Sequence, residues 1–287
     1  MMRIVVINPR SSGLDLCQEL IDNGIDLIIS YIGSDKASLF KIHTEISSRT
    51  EEEALEKIKK YNPYCLLPGC EEAIGATDRI SQELGLPHNE PRLQEARQNK
   101  DLMLHALNKA QIPIARSFTV SSLNELKNIN IDHEMIVKPV NSSASESVNR
   151  VSNFEQLTVS ARNILGIKNR LGRVNEKLLV QDFLKGPMYV INTVTINGVH
   201  LLTDLHYKDV TYWGNTPISS SMCLCQDLSE GRSLLVSYIF DCLDALGICF
   251  GAAHSEVILT EQGPRLVEVN SRLMGPALPA HVLGFIE

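Results

Sequence analysis

No stretch of this 287-residue sequence stays apolar for the ~20 residues that a membrane-spanning helix needs, so no span is expected. The opening "MMRIVVINPRSSG" has one arginine and a short apolar run, too little for a signal peptide, and reads as a first β-strand. Basic tails and arginine-rich patches are missing as well. With a net charge of -7, nucleic acid is not an expected partner. The cysteines number seven, an odd count with no CxxC pair, and no Cys/His spacing suits zinc. They read as buried free thiols of a reducing compartment, so the expected location is cytoplasmic. Internal repeats and low-complexity tracts are also absent.

What is present suits a sizeable core. The chain is 44% hydrophobic, enough for one large domain or two to three small ones. Over the first ninety residues "RIVVIN", "IDLIISYI" and "PYCLLPG" read as strands. Between and after them, "SSGLDLCQELIDNG", "TEEEALEKIKKYN" and "CEEAIGATDRISQELG" read as helices, the second opened by Thr50 with Glu53 three residues on. This βαβαβα order predicts a parallel sheet covered by helices. No GxGxxG follows the first strand, and "NPRSSG" is a plain βα turn or a weak phosphate loop.

From Pro91 the texture changes. "PRLQEARQNKDLMLHALNKAQIP" predicts one amphipathic helix or two. "ARSFTV", "SLNELKNI" and "EMIVKPV" then read as strand, helix, strand, followed by the polar loop "NSSASES". After a helix at "NFEQLTVSARNILG" and a strand at "KLLVQDFL", "YVINTVTINGVHLLTDLHYK" predicts a hairpin turning at Asn197-Gly198. "SLLVSYIFDCLDALG" reads as a largely buried helix, and "CFGAAHSEVILTEQGPRLVEVNSR" as a second hairpin.

That second hairpin carries the chemistry. In "RLVEVNSRLMG", strict alternation puts Glu268, Asn270 and Arg272 on one face with Leu266. If the turn centres near Gln262, Glu256 of the partner strand "HSEVILT" lies opposite Glu268. Opposed side chains sit ~5 Å apart, and like charges there destabilise the pair, so a cation is needed. Carboxylates and an amide are hard oxygen ligands, suited to Mg²⁺ or Mn²⁺ and not to zinc. The alternative is an exposed edge hairpin with solvated charges. Such an ion is commonly shared with phosphates, which directs attention to Lys138, at the end of "EMIVKPV", and Lys100, after "EARQN" at a helix start. Each lysine alone reads equally as solvated. His254 shares the face of Glu256, either beside the site or as a structural histidine. No Ser-His-Asp or Cys-His motif stands out.

These motifs resemble the ATP-grasp superfamily of carboxylate–amine ligases, over nearly the whole chain, and within it the amino-acid ligases of the alanine–anticapsin type that make dipeptides. The resemblance implies an α/β ATP-grasp fold. An N-terminal Rossmann-like parallel-sheet domain (1–92) would precede an ATP-grasp domain (93–287). Its two α+β subdomains, a lid (about 113–180) and a metal-binding part (about 181–287), would sandwich the nucleotide. It implies that Lys100 ("NKDLM") and Lys138 ("VKP") contact ATP phosphates, with Ser142, Ser143 and Ser145 in the covering loop. Gln181, Asp182, Phe183 and Leu184 ("QDFL") would hold the adenine. Glu256, Glu268 and Asn270 would bind two Mg²⁺ ions. Arg272 would hold the substrate carboxyl and its acyl-phosphate, and Gly275 would leave room beside it. His200, Asp204 and Lys208 also stand in familiar places. The implied partners are a small carboxylate and a small amine, and a homodimer is compatible with this.

Three departures accompany the match. Ser147 stands where the loop usually has glycine, at a position expected to need positive φ. Met188, in "GPMY", stands where the family's glutamate binds the ribose. The sequence ends at Glu287, whereas such relatives continue for a sizeable segment; a natural short form and a fragment both stay open. The alternatives to an active ligase of this type are an impaired nucleotide-binding protein and a carboxylase- or purine-synthesis-type ligase. Substrate identity is not legible; contacts are expected from loops such as "YWGNTPISSS" at 212–221.

Overall fold

The computed structural model describes residues 2–33, 44–142, 145–226 and 230–275. Three sheets organise them. The first is wholly parallel, in the order β3-β2-β1-β4, from β1 (Arg3–Ile7), β2 (Asp26–Ile32), β3 (Thr44–Ser48) and β4 (Cys65–Pro68). Its central strands are near-continuous apolar runs because helices cover both faces. Those helices are α1 (Ser12–Asp22), α2 (Glu51–Lys59) and α3 (Ile74–Glu83). Thr50 caps α2, accepting from Glu53 N at 3.3 Å, and Glu53 reaches back to Arg49 N at 2.8 Å. The chain turns after β1 and β4 meet closely: a Cβ on Gly13 would lie 2.1 Å from Gly69 O. Only glycine allows that approach.

The second sheet is antiparallel, in the order β5-β8-β6-β7, from β5 (Ser117–Val120), β6 (Met135–Pro139), β7 (Asn149–Val151) and β8 (Leu178–Asp182). Helix α5 (Phe154–Arg162) packs Leu157 and Ala161 into its core. The third sheet is also antiparallel, in the order β11-β10-β9-β12-β13. It comprises β9 (Met188–Ile196), β10 (Val199–Trp213), β11 (Thr216–Leu224), β12 (Gly251–Thr260) and β13 (Gly263–Asn270). Helices α4 (Lys100–Lys109) and α6 (Glu230–Ala245) back one face of it, burying Met103, Leu107, Leu235 and Leu243 against Ile191, Val257 and Leu266. The turn between β9 and β10 is the expected one, with positive φ at Asn197 (52°) and Gly198 (78°).

Several expectations are corrected. Residues 91–97 form two 3₁₀ turns rather than a helix, and only a 3₁₀ turn, Glu125–Asn128, occupies "SLNELKNI". Short polar stretches favour such turns because too few apolar side chains anchor a full helix. The stretch 212–221 is no free loop but the tip and return strand of a hairpin, Tyr212 pairing with Pro217. Proline is tolerated there because β11 is an edge strand. The free thiols are not all buried: Cys17, Cys65 and Cys242 are, whereas Cys223 and Cys249 are exposed. Among the described residues no helix is long and apolar enough to cross a membrane.

Candidate active site

On the face of the third sheet away from α6, β12 and β13 set Glu256 opposite Glu268 and His254 opposite Asn270. The register then shifts, because Leu266 pairs with Val257 and leaves Val267 as an extra residue. This bulge corrects the strict alternation expected from the sequence. Leu266 joins Val257 and Val269 in the core, while Val267 and Glu268 both line a cavity. The Leu266 N–H donates to the Tyr238 hydroxyl of α6 at 2.9 Å, and that hydroxyl donates to Pro113 O at 2.7 Å.

Three lysines converge on the carboxylates. Lys100 is the first residue of α4, whose cap Asn99 accepts from Asp101 N and Leu102 N. Its Nζ lies 2.9 Å from Glu268 Oε2 and donates to Ser142 O at 2.7 Å. Lys208 of β10 sits 2.5 Å from Glu256 Oε1. Lys138 of β6 is 4% exposed and reaches Val267 O at 3.5 Å. Burial, then the neighbouring Lys100, lower the Lys138 pKa to about 8, partly offset by Glu268 and Glu256. Burial alone would raise the Glu268 pKa; Lys100, then Lys138 and the Asn270 amide at 3.2 Å, hold it at about 2. His254 is buried, which lowers its pKa despite Glu256 and Glu268, and its Nδ1 lies 3.0 Å from Asn192 Oδ1. Among the described residues no group of three or more His, Cys, Asp or Glu could hold a metal. A cation here would therefore need oxygens from a further ligand besides Glu256, Glu268 and Asn270.

Between the second and third sheets opens a cavity of about 510 Å³, large enough for a nucleotide. Lys100, Lys138, Ser142 and Ser145 line one end with the two carboxylates. Gln181, Asp182, Phe183, Leu184 and Met188 line it further along, with Ile136, Val148, Val210 and Ile258 as apolar wall. Gln181 is buried and donates to Ser117 Oγ at 3.1 Å. The Asp182 carboxylate is taken up by Arg116 at 3.1 Å and His133 at 3.0 Å. Ser147 does adopt positive φ (57°), as does Ser145 (55°). Ser143 lies outside the described residues.

The hairpin β10–β11 reaches across to the second sheet. Arg150 N of β7 donates to Asn215 O at 2.8 Å, and its guanidinium lies over Phe183 (4.2 Å) and Tyr212 (5.2 Å). Sequence reading missed Arg150, since only the fold brings strands so distant in the chain together; Tyr212 lies in the stretch 212–221 from which contacts were expected. Sequence reading also missed Glu146, a lining residue accepting from Arg170 N at 2.9 Å.

Arg272 departs from expectation in one respect. The strand ends at Asn270, so alternation no longer governs its direction. Its Nε donates to Glu71 Oε2 at 2.6 Å and its Nη1 to Leu273 O at 2.7 Å. Asn270 lies with Glu71, Lys100 and Glu268 around a second, smaller cavity beside the first. Among the described residues nothing lies within 4 Å of a Cβ built on Gly275. His200 is turned away, against Thr195, Asp244 and Phe240, and Asp204 accepts from Asn192 at 2.5 Å.

A model of the ATP-grasp domain matches residues 97–276. The chain belongs to the ATP-grasp family. Dapdiamide A synthase of Enterobacter agglomerans is 28% identical over 232 residues, 79% of this chain and 55% of that protein. An L-amino acid ligase structure from Bacillus licheniformis superposes with a TM-score of 0.78 at 20% identity, covering 96% of this chain and 68% of the other. A D-alanine–D-alanine ligase from Bacillus anthracis, complexed with ATP, gives 0.67 at 15% identity, covering 99% and 92%. The fold is thus that of ATP-grasp ligases. The chain spans about half the length of the curated relatives it matches. Every residue expected at the site falls inside the matched ATP-grasp segment. Glu71 falls outside it.

Proposed function

We propose that this chain carries the catalytic centre of an ADP-forming carboxylate–amine ligase acting on amino acids or similar small acids. The observation that carries this reading is the Glu256–Glu268 pair, ringed by Lys100, Lys138 and Lys208 at one end of a nucleotide-sized cavity. Similarity to dapdiamide A synthase and to an L-amino acid ligase supports it. The first sheet and its helices form an N-terminal domain (1–92). The lid (about 113–180) and metal-binding part (about 181–287) of the ATP-grasp domain enclose ATP.

The donor set fits a hard cation: two opposed carboxylates, one ionised at any physiological pH, and an amide oxygen. Two Mg²⁺ or Mn²⁺ ions, held by Glu256, Glu268 and Asn270, would neutralise charge on the phosphate oxygens. Lys100 and Lys138 bind the phosphates and stabilise charge on the transferring phosphoryl group. Gln181 to Leu184 hold the base. A substrate carboxylate oxygen bonds to the γ-phosphorus as the bond to ADP breaks. The amine lone pair then bonds to the acyl carbon, phosphate leaves with its oxygen, and the amine's surplus proton passes to water. Arg272 holds the acid through both steps, because a guanidinium fork matches carboxylate and phosphate alike.

Phosphate release from MgATP with a panel of amino acids tests this. ADP and phosphate are expected in step with amide, and Arg272→Lys should lose ligation far more than ATP binding. AMP as the stoichiometric product overturns the reading. A second reading, nucleotide binding without catalysis, draws on Met188 in place of a ribose-binding carboxylate; it stands if ATP binds and no acid–amine pair releases phosphate.

A further inference from the structure

We propose that Glu71 is a positioning residue for Arg272, so that the N-terminal domain completes the site for the acid substrate; this rests on the ligase reading above. Glu71 and Arg272 are 201 residues apart in sequence, yet Nε and Oε2 meet at 2.6 Å. Both side chains are largely enclosed, at 15% and 17% exposure, so salt screens the pair little.

The geometry of the guanidinium gives the pair its meaning. Arginine has five N–H donors in a rigid fork. Glu71 takes the Nε hydrogen and Leu273 O takes one from Nη1. Among the described residues Nη2 has no hydrogen-bond partner, which leaves its hydrogens to meet a carboxylate or phosphate oxygen. Glu71 therefore fixes the rotation of the guanidinium and leaves Nη2 unoccupied by that contact.

The carboxylate is itself on a rigid mount. Glu71 opens a 3₁₀ turn, Glu71–Ala73, just past the carboxyl end of β4. Gly69 N bonds to Ile7 O at 2.8 Å and Arg10 N to Gly69 O at 3.0 Å. Gln98 Nε2 donates to Glu71 O at 3.1 Å. The close approach of Gly13 to Gly69 leaves the segment little freedom to shift. A site residue is held well only when such a supporting layer holds it.

A purely structural ion pair between the same layers offers a contrast. Arg97 is wholly buried and meets Asp78 at 2.8 Å. Its Nη1 is occupied by the carbonyls of Glu90 and Leu246 and its Nη2 by Asp78, so both ends of its fork are taken within the protein, while its buried Nε has no partner. Both Arg97 and Glu71 line the small cavity shared with Lys100, Glu268 and Asn270, but only Glu71 contacts Arg272.

The test is a double-mutant cycle on the full chain. Glu71→Gln keeps the shape and removes the charge; Glu71→Leu removes the acceptor as well. Phosphate release from MgATP with proteinogenic amino acids gives kcat and KM, calorimetry gives ATP affinity, and circular dichroism with a thermal melt reports folding. Partners that orient metal ligands are typically worth about 10–100-fold; taking the low end of that scale for an oriented guanidinium, kcat/KM for the acid should fall by about tenfold or more in Glu71→Leu, with ATP affinity within about twofold of wild type. In an Arg272→Lys background Glu71→Leu should cost nothing further, because its effect passes through Arg272. Undiminished kcat/KM in Glu71→Leu, an equal loss in both backgrounds, or a loss confined to ATP affinity overturns the proposal. Should Glu71→Leu not fold, Glu71→Gln carries the same comparison. If Arg272→Lys keeps full activity, the role of Arg272 falls together with the proposal; if Arg272→Lys fails while Glu71→Leu does not, the proposal alone falls.

Discussion

Lys138 is held charged against the preference of its surroundings, and replacing it with methionine should expose that tension. The residue is 4% exposed, and a carbonyl at 3.5 Å is the acceptor its ammonium reaches. Burial, then Lys100, take its pKa from 10.5 to about 8. At 1.36 kcal/mol per unit, the charged form costs the folded state about 3 kcal/mol relative to the unfolded chain. The sign follows from where the protons sit. Below pH 8 the lysine is charged in both states and the cost is present in full. Between pH 8 and the unfolded value near ~10.4 the folded protein has released its proton while the unfolded chain has not, so the cost shrinks as pH rises. Lys138→Met should therefore be more stable than wild type at pH 7, by up to about 3 kcal/mol, and the gain should fade by about pH 10.5. Glu268 keeps Lys100 at 2.9 Å, so no carboxylate is stranded. Under the proposed function the same change removes a phosphate contact, and ATP affinity should fall about tenfold or more. Urea unfolding at both pH values and calorimetry with ATP measure the two effects. A variant less stable at pH 7, or a gain indifferent to pH, refutes the burial argument. Unchanged ATP affinity refutes the phosphate contact.

Met188 begins β9 beside Lys208 in the register, so Met188→Glu should place a carboxylate on the cavity wall, tighten ATP by roughly tenfold and restore preference over 2′-deoxy-ATP; calorimetry with both nucleotides checks it, and tight, ribose-selective binding by the parent would count against it. Tyr238→Phe strips the hydroxyl that serves Leu266 N and Pro113 O, and should cost about 1–3 kcal/mol in urea unfolding; a loss well below that range would mean the bulge does not depend on α6.

The strand that carries Glu268 and Asn270 was legible because its pattern is local. Hydrophobic alternation and the "EQGP" turn suffice to set Glu256 against Glu268, and Asn197-Gly198 dictates its own turn. Lys100 was legible for the same reason, as the residue after a capping asparagine. The bulge at Val267 was not, because its cause lies in α6, where Tyr238 receives the N–H that the ladder gives up. Glu71 was hidden because it meets Arg272 only once two domains pack. The hairpin strand β11 was hidden by composition: "NTPISSS" is polar and carries a proline, and its extended form is imposed by pairing with β10.

That hairpin also gives the protein an optical property. The sequence contains one tryptophan, and it is Trp213, 81% exposed at the tip of β10. Tyr212 before it lines the nucleotide cavity, and Asn215 two residues beyond it bonds to Arg150 on the opposing sheet. Indole emission from this protein thus has a single origin, at the seam between the two sheets that form the cavity. Its wavelength and quenching describe that seam alone, without labelling and without a second indole to disentangle.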